Sequence, residues 1–490
     1  MVSRPASVDQ SSPRLAAPSS GPVRATRGRP RRARGRWSFL ALLAAGCAAD
    51  PPATPIDAGA DASEVAVVAD GGGTALLGPP VVFAPTTHGF GLSAVLSPGD
   101  PRTLRARLRP HDSGAGQQAA WGDALLPAMR AADLAEWSIG GLSAGTGYDY
   151  QLSVQTTTGE TALSQGTVTT QRPAGQPFTF ALVTDTHIGS DLTYTNQGDP
   201  KTLEAAGTAI AAAAPDFVVN LGDILDFHEY GFNTPPPDGA ITRAAYLNYR
   251  QTFGPTLASA AHFLAIGGWD SESGCNTPQE IDRSRSQRLL YLPGPTPQTY
   301  PEGGSPYQDY YAFTWGDALF VVLNVFTYTP TCHLLSEYPG AADDWTLGDD
   351  QLAWLQQTLA GATAKWKFLL IHHPVGGNAG NPDDSAYGRG GGRAAQVGQQ
   401  ATVHALMRQY GVQIFFYGHD HVFTDMNVDD IHYSLPGSAG AIWYFTPDET
   451  GYTQDWEVPG WGRVTVAPDS VHVQFLDLSG QILYEYSLKQ

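Results

Sequence analysis

Short apolar runs closed by turn-forming polar residues recur from residue 178 to residue 421, and their length suits buried strands rather than helices. Phe178 to Thr184, Phe217 to Leu221, His262 to Ile266, Phe368 to Ile371 and Ile414 to Tyr417 contain no Asp, Glu, Lys or Arg. Between them stand segments of helical period. Lys201 to Ala214 is dominated by Ala, Asp349 to Ala362 repeats Leu352, Leu355 and Leu359 with Trp354 between, and Ala394 to Tyr410 is the third. Alternation of strand and helix predicts an α/β layer. Beyond it, Ile431 to Leu435, Gly462 to Val466, Ser470 to Leu476 and Ile482 to Leu488 read as antiparallel strands closing the sheet.

The preceding text is different. From 78 to 172 the chain breaks into short β-like runs at Val81 to Phe83, Gly91 to Leu96, Leu104 to Leu108, Leu134 to Ile139, Tyr148 to Thr156 and Gly166 to Thr170. Such spacing predicts an all-β sandwich. Within it, Leu142-Ser-Ala-Gly-Thr-Gly-Tyr148 resembles the corner of fibronectin type III domains, where a Tyr hydroxyl satisfies backbone beside a tight turn. Pro173-Ala-Gly-Gln-Pro177 then reads as a linker to a second domain at 177–490.

Composition adds the compartment. Of 28 basic and 47 acidic residues, nine Arg and one Asp fall within 1–36, so the rest carries 19 against 46, a net of −27. An acidic body of that size disfavours binding to nucleic acid backbones or anionic lipid by bulk electrostatics. The basic opening runs into Trp37-Ser-Phe-Leu-Ala-Leu-Leu-Ala-Ala-Gly-Cys47, too short to span a bilayer and the size of a signal-peptide core. Leu43-Ala-Ala-Gly-Cys47 resembles a bacterial lipobox, so 1–47 is expected to be a lipoprotein-type signal and the membrane a partner only through a lipid anchor. Plain secretion is the alternative. Residues 48–77, rich in Ala, Asp, Pro and Gly, read as a disordered linker. Cys275 and Cys332 remain, either as a disulfide in an exported chain or as two free thiols.

The five buried runs end on Asp185-Thr-His187, Gly222-Asp223, Gly267-Gly-Trp-Asp270, His372-His373-Pro374 and Gly418-His419-Asp-His421. Ligands of open α/β sheets gather at the carboxyl ends of strands, and imidazole with carboxylate suits Zn, Mn or Fe. In this order the motifs resemble the calcineurin-like metallophosphoesterase superfamily over about 177–490, with a sandwich domain ahead as in purple acid phosphatases. The resemblance implies two mixed sheets flanked by helices and two divalent or mixed-valence ions (Fe, Mn or Zn). It makes Asp185, His187 and His421 ligands of one ion, His372 and His419 ligands of the other, and Asp223 the bridge. The implied activity is hydrolysis of a small-molecule or surface phosphomonoester or phosphodiester by a metal-bound hydroxide.

Two departures matter. Where the family has Gly-Asn-His, this chain has Gly267-Gly268-Trp269, so Gly268 offers no ligand and Trp269 no acid. Asp270 or Asn276 is then expected to replace the missing oxygen, or one ion binds loosely, or the fold persists as a surface-anchored binding protein with little turnover. Gly222-Asp-Ile-Leu-Asp226 also lacks the Tyr of purple acid phosphatases. His228 and Asp270 are the candidate catalytic groups, Arg389 and Arg393 candidate phosphate contacts, and His373 a structural neighbour of His372. The segments Asp226 to Asp238, Cys275 to Gly304 and Val375 to Arg393 are expected to wall the pocket as loops.

Overall fold

The computed structural model describes residues 74–111, 118–189, 198–227, 239–272, 277–328, 346–376, 398–444 and 452–490. Residues 1–73, which include the expected signal and most of the expected linker, lie outside the described residues, as do His228, Asn276, Cys275, Cys332, Arg389 and Arg393. The last part of that linker is not disordered, since Ala75–Leu76 pairs as a strand with Gly89–Ser97. Among those described, no helix is long and apolar enough to cross a membrane.

Two stacked sheets form the body. The first contains 11 strands and runs, edge to edge, Ile482–Lys489, Ser470–Asp477, Gly460–Ala467, Phe178–Val183, Phe217–Asn220, Ala261–Leu264, Val81–Thr86, Gly89–Ser97, Leu134–Ile139 and Ala128–Ala131, with Ala75–Leu76 beside Gly89–Ser97. Its centre is parallel, as Phe178–Val183, Phe217–Asn220 and Ala261–Leu264 align side by side. The second runs Tyr311–Trp315, Ala318–Val322, Trp366–Leu370, Ile414–Phe416, Ile431–Pro436 and Phe423–Val428. Helices Pro200–Ala213, Gly348–Gly361 and Gly398–Tyr410 stand where periodicity placed them.

The faces between the sheets are aromatic because most of the buried strands place a Phe there. Phe180 stacks on Phe217 with centroids 5.2 Å apart and meets Phe320 of the other sheet edge-on at 5.0 Å. Phe263 lies 4.0 Å from Phe313. All five rings are fully buried. Rings so interlocked resist sliding, which fixes one set of strand ends opposite the other.

Two sequence expectations change here. Ile431–Pro436 does not close the first sheet; it joins the second, parallel to Ile414–Phe416 and antiparallel to Phe423–Val428. Cys275 to Gly304 is not all loop, since Pro278–Tyr291 is a helix with a Thr277/Glu280 capping box. That Thr-Pro-Gln-Glu signature was legible. Apolar periodicity missed the helix because two Arg side chains form part of its buried face: Arg288 pairs with fully buried Glu272 through Nη2–Oε2 at 3.0 Å, and Arg285 lies 3.6 Å from the same carboxylate. Gly239–Thr252 is a further helix, carrying Tyr246, Tyr249 and Arg250 inward.

The strands of 78–172 share the first sheet with those that follow. Phe83 pairs in parallel with His262, while Leu104–Pro110, Gly147–Thr156 and Gly159–Thr169 form a separate three-stranded sheet. At the tyrosine corner, Ser143 N–H donates to the Tyr148 hydroxyl at 3.0 Å. Tyr150 and Tyr300 hydroxyls donate across to Ala258 O and Pro85 O at 2.8 and 2.6 Å. Arg250, fully buried, joins these strands to the helix layer by donating to Ser93 O at 2.9 Å, Pro79 O at 3.3 Å and Tyr291 O at 3.2 Å.

Arg250→Ala would strand those carbonyls in a dry interior. It is expected to destabilise the chain by roughly 3 kcal/mol, the scale of losing charge-assisted hydrogen bonds, as read from the shift in a chemical denaturation midpoint.

Candidate metal centre

Each of the five motifs begins within three residues of the end of a parallel strand, three from the first sheet and two from the second. Sheet stacking therefore brings distant sequence to one rim. Asp185, His187 and His421 form one group and Asp223, His372 and His419 another, with the donor atoms of each group all within 4.8 Å of one another. Asp185 Oδ1 lies 3.4 Å from His421 Nε2 and 3.8 Å from His372 Nε2, and Asp223 Oδ2 lies 2.9 Å from His372 Nε2 and 3.9 Å from His187 Nε2. Asp223 thus faces both groups.

The local backbone is unusual. Asp185, His187, Asp223, His419 and His421 all adopt positive φ, between 46° and 82°. For residues with a Cβ each such conformation costs on the order of 1–3 kcal/mol and persists only where surroundings enforce it. Here they do. Asp185 N–H donates to Gly222 O and His187 N–H to Asp223 O, both at 3.0 Å, while Ala441 N–H and the Ser438 hydroxyl both reach Asp185 O at 2.9 Å.

The side chains are also oriented. Thr184 Oγ1 donates to Asp185 Oδ2 at 2.7 Å, and His419 N–H donates to the same carboxylate at 3.0 and 3.2 Å. Trp269 N–H holds Asp223 Oδ1 at 2.8 Å. His372 Nδ1 must donate to Leu221 O at 3.0 Å and His421 Nδ1 to Trp443 O at 2.9 Å, because a carbonyl only accepts. Each bond leaves Nε2 unprotonated in the neutral ring and turned toward the carboxylates, the arrangement a ligating histidine needs. Buried His372 Nε2 makes no hydrogen bond and stands 2.9 Å from Asp223 Oδ2. An orphaned nitrogen among carboxylates fits a cation between them. Iron, manganese or zinc suits this His/Asp donor set.

Electrostatics agree. Burial lowers the His187 pKa to about 4, so the ring is a neutral donor at physiological pH. Burial opposes a charge on His372 too, but Asp223 and Asp185 hold its pKa up at about 9. Burial pushes Asp185 up, and the imidazoles of His421 and His372 more than offset it, to about 2.

Asp270 does not enter either ligand group. Its Oδ1 accepts from Leu225 N–H at 3.0 Å and Oδ2 from Gly267 N–H at 2.8 Å, so the carboxylate caps the short helical turn Gly268–Asp270 instead of replacing a ligand. Burial, then the Asp223 charge, lifts its pKa to about 7. His373 Nδ1 reaches its own neighbour, Pro374 O, at 2.8 Å, and its ring packs 4.4 Å from His419. Among the described residues, Trp269, Trp443 and Phe326 pack around these groups. Trp269 meets His187 edge-on at 5.1 Å, Trp443 lies 4.9 Å from His187 and 4.5 Å from His421, and Phe326 lies 5.6 Å from His372. Trp443 and Phe326 follow no ligand motif, so nothing in their local sequence marked them.

The family model for calcineurin-like phosphoesterases matches residues 178–423. Among solved structures the chain is similar to one titled "Structure of PhoD", at 14% identity, covering 84% of this chain and 90% of that one with a TM-score of 0.61; that likeness is one of fold. A second, described as "GAP50 the anchor in the inner membrane complex of Plasmodium", is 16% identical over 64% of this chain and 89% of that one, with a TM-score of 0.39. No curated protein matches the chain.

Two outcomes follow from the geometry. A Cβ at Gly267 would lie 2.2 Å from both Asp223 N and Oδ1, so Gly267→Ala is expected to displace the shared carboxylate and weaken cation binding by at least ~10-fold, measured by calorimetry, with far-UV circular dichroism unchanged. Because His372 keeps its proton up to about pH 9, cation uptake must expel it. Apparent affinity should rise with pH through neutrality and level off near 9, and pH-stat titration should record a proton released at pH 7 that His372→Asn abolishes.

Proposed function

The chain belongs to the calcineurin-like phosphoesterase family, and we propose that it is an exported, metal-dependent hydrolase of phosphomonoesters or phosphodiesters. One observation carries the reading: six imidazole and carboxylate groups from four separate strand ends converge as two donor sets, with Asp223 facing both. Two cations held there would polarise a water and neutralise charge on the phosphoryl oxygens.

The protein's part is placement. Asp223, fixed by Trp269 N–H, holds the two donor sets at one spacing. Asp185 is oriented by Thr184 Oγ1 and His419 N–H and kept ionised by the imidazoles of His421 and His372. Trp269 and Trp443 pack against His187 and His421, limiting the number of rotamers open to the rings and shielding one side from water. Substrate charge would be met by the cations, because the body around them is acidic.

Export rests on the Arg-rich opening and the Leu43-Ala-Ala-Gly-Cys47 segment. Fatty-acid labelling of the expressed chain, lost in Cys47→Ser, is the check. A second reading, a binding protein with little turnover, is favoured by Gly268, which supplies no donor where the family has Asn.

Purified protein supplied with Mn, Fe or Zn is expected to hydrolyse nitrophenyl phosphate monoesters or diesters, to stop on chelation, and to lose about 1000-fold or more in kcat in Asp223→Ala and His421→Ala. Cation binding without turnover of any such ester would instead support the binding protein.

A further inference from the structure

The two donor sets differ in enclosure. Asp185, His187 and His421 are at most 2% exposed, and Asp223 stands beside them. In the second set His372 is fully buried but His419 is only partly so. The strand end next to this second set is Gly267-Gly268-Trp269. It approaches Asp223 so closely that residue 267 has no room for a side chain.

Residue 268 is no better placed. A Cβ there would lie 2.9 Å from Cε1 of Phe326, so the phenyl ring fills the space into which a ligating side chain would grow. Phe326 is buried, and its backbone is pinned by Asn324 Oδ1, which accepts from Phe326 N–H at 2.9 Å. Its ring lies against His372 and His373. Among the described residues, carbon with no donor atom thus faces the second set from this strand end, and Asp270, the nearest carboxylate in sequence, is committed to two backbone amides.

We propose that Gly268 and Phe326 make the second cation site a low-affinity one, so that the resting protein holds a single tight cation between Asp185, His187, His421 and Asp223, and the other enters with the phosphoester. The inference rests on the six residues being ligands, as proposed above, and concerns how unequal their two sites are. A phosphate oxygen supplies what residue 268 cannot: an anionic donor beside His372 and His419. The dependence is reciprocal. Phosphate tightens the second cation, and the second cation tightens phosphate by the same factor.

Chelator-stripped full-length protein would be titrated with Mn²⁺ in a calorimeter, with the number of isolated and spin-coupled ions followed by paramagnetic resonance. The expected record is one tight step and one step weaker by ~100-fold, with inorganic phosphate tightening only the weaker. His419→Ala should erase the weak step alone. Gly268→Asn combined with Phe326→Ala should bring the two steps within about tenfold. Phe326→Leu, which keeps a carbon side chain at that position, should leave the gap as in wild type and shows that the pocket tolerates change. Two equal steps in the wild-type protein, or a double variant that folds yet keeps the gap, overturns the inference and leaves the phosphoesterase reading standing. A chain that takes up no cation at all overturns both.

Discussion

The position of one carboxylate governs the arrangement. Asp223 turns out of its strand with φ at 50°, has one oxygen held by Trp269 N–H and presents the other to His372 and His187. That geometry requires Gly267 beside it, because a single methyl group there would overlap Asp223. Without the shared acid the two donor sets would be four imidazoles and one carboxylate, a poor balance for two divalent ions.

Holding it demands strain elsewhere. Five of the six candidate ligand residues sit in the left-handed region, and together they store several kcal/mol on ordinary scales. The surrounding structure absorbs this through backbone bonds that cross from one strand end to the next, such as Asp185 to Gly222, His187 to Asp223 and Gly418 to His372. These are short links between rigid strands. Their rigidity in turn comes from the aromatic layer between the sheets, where Phe180, Phe217 and Phe320 interlock. The chemistry at the rim and the packing below it are one mechanical unit.

The strands that precede the family's own segment are part of that unit. Phe83 pairs with His262 four residues before Ile266 ends, and Arg250 and Tyr150 tie the two regions through buried hydrogen bonds. The sheet that carries the Gly267 strand end is therefore braced from its far side. Damage to the leading strands is transmitted along a hydrogen-bonded ladder toward the centre.

The sequence by itself determined the strand ends and their donors, because a short apolar run followed by Asp, His or Gly is local information: Asp185, His187, Asp223, His372, His419 and His421 all stand in the motifs that marked them, and the residues are brought together as two sets. Only the tertiary structure decided what surrounds them. Asp270 reads as a spare ligand until Leu225 and Gly267 amides are seen to occupy both its oxygens. Phe326 lies 58 positions after Gly268 yet fills the space above it, and Trp443 reaches His187 across still more chain. Helix Pro278–Tyr291 was hidden from apolar periodicity, though not from its capping box, because charge, paired with Glu272, contributes to its buried face. The division has one physical cause: backbone period and ligand type are written in neighbouring residues, whereas which donors are consumed, and which spaces are filled, depends on chains that meet only after the two sheets have stacked.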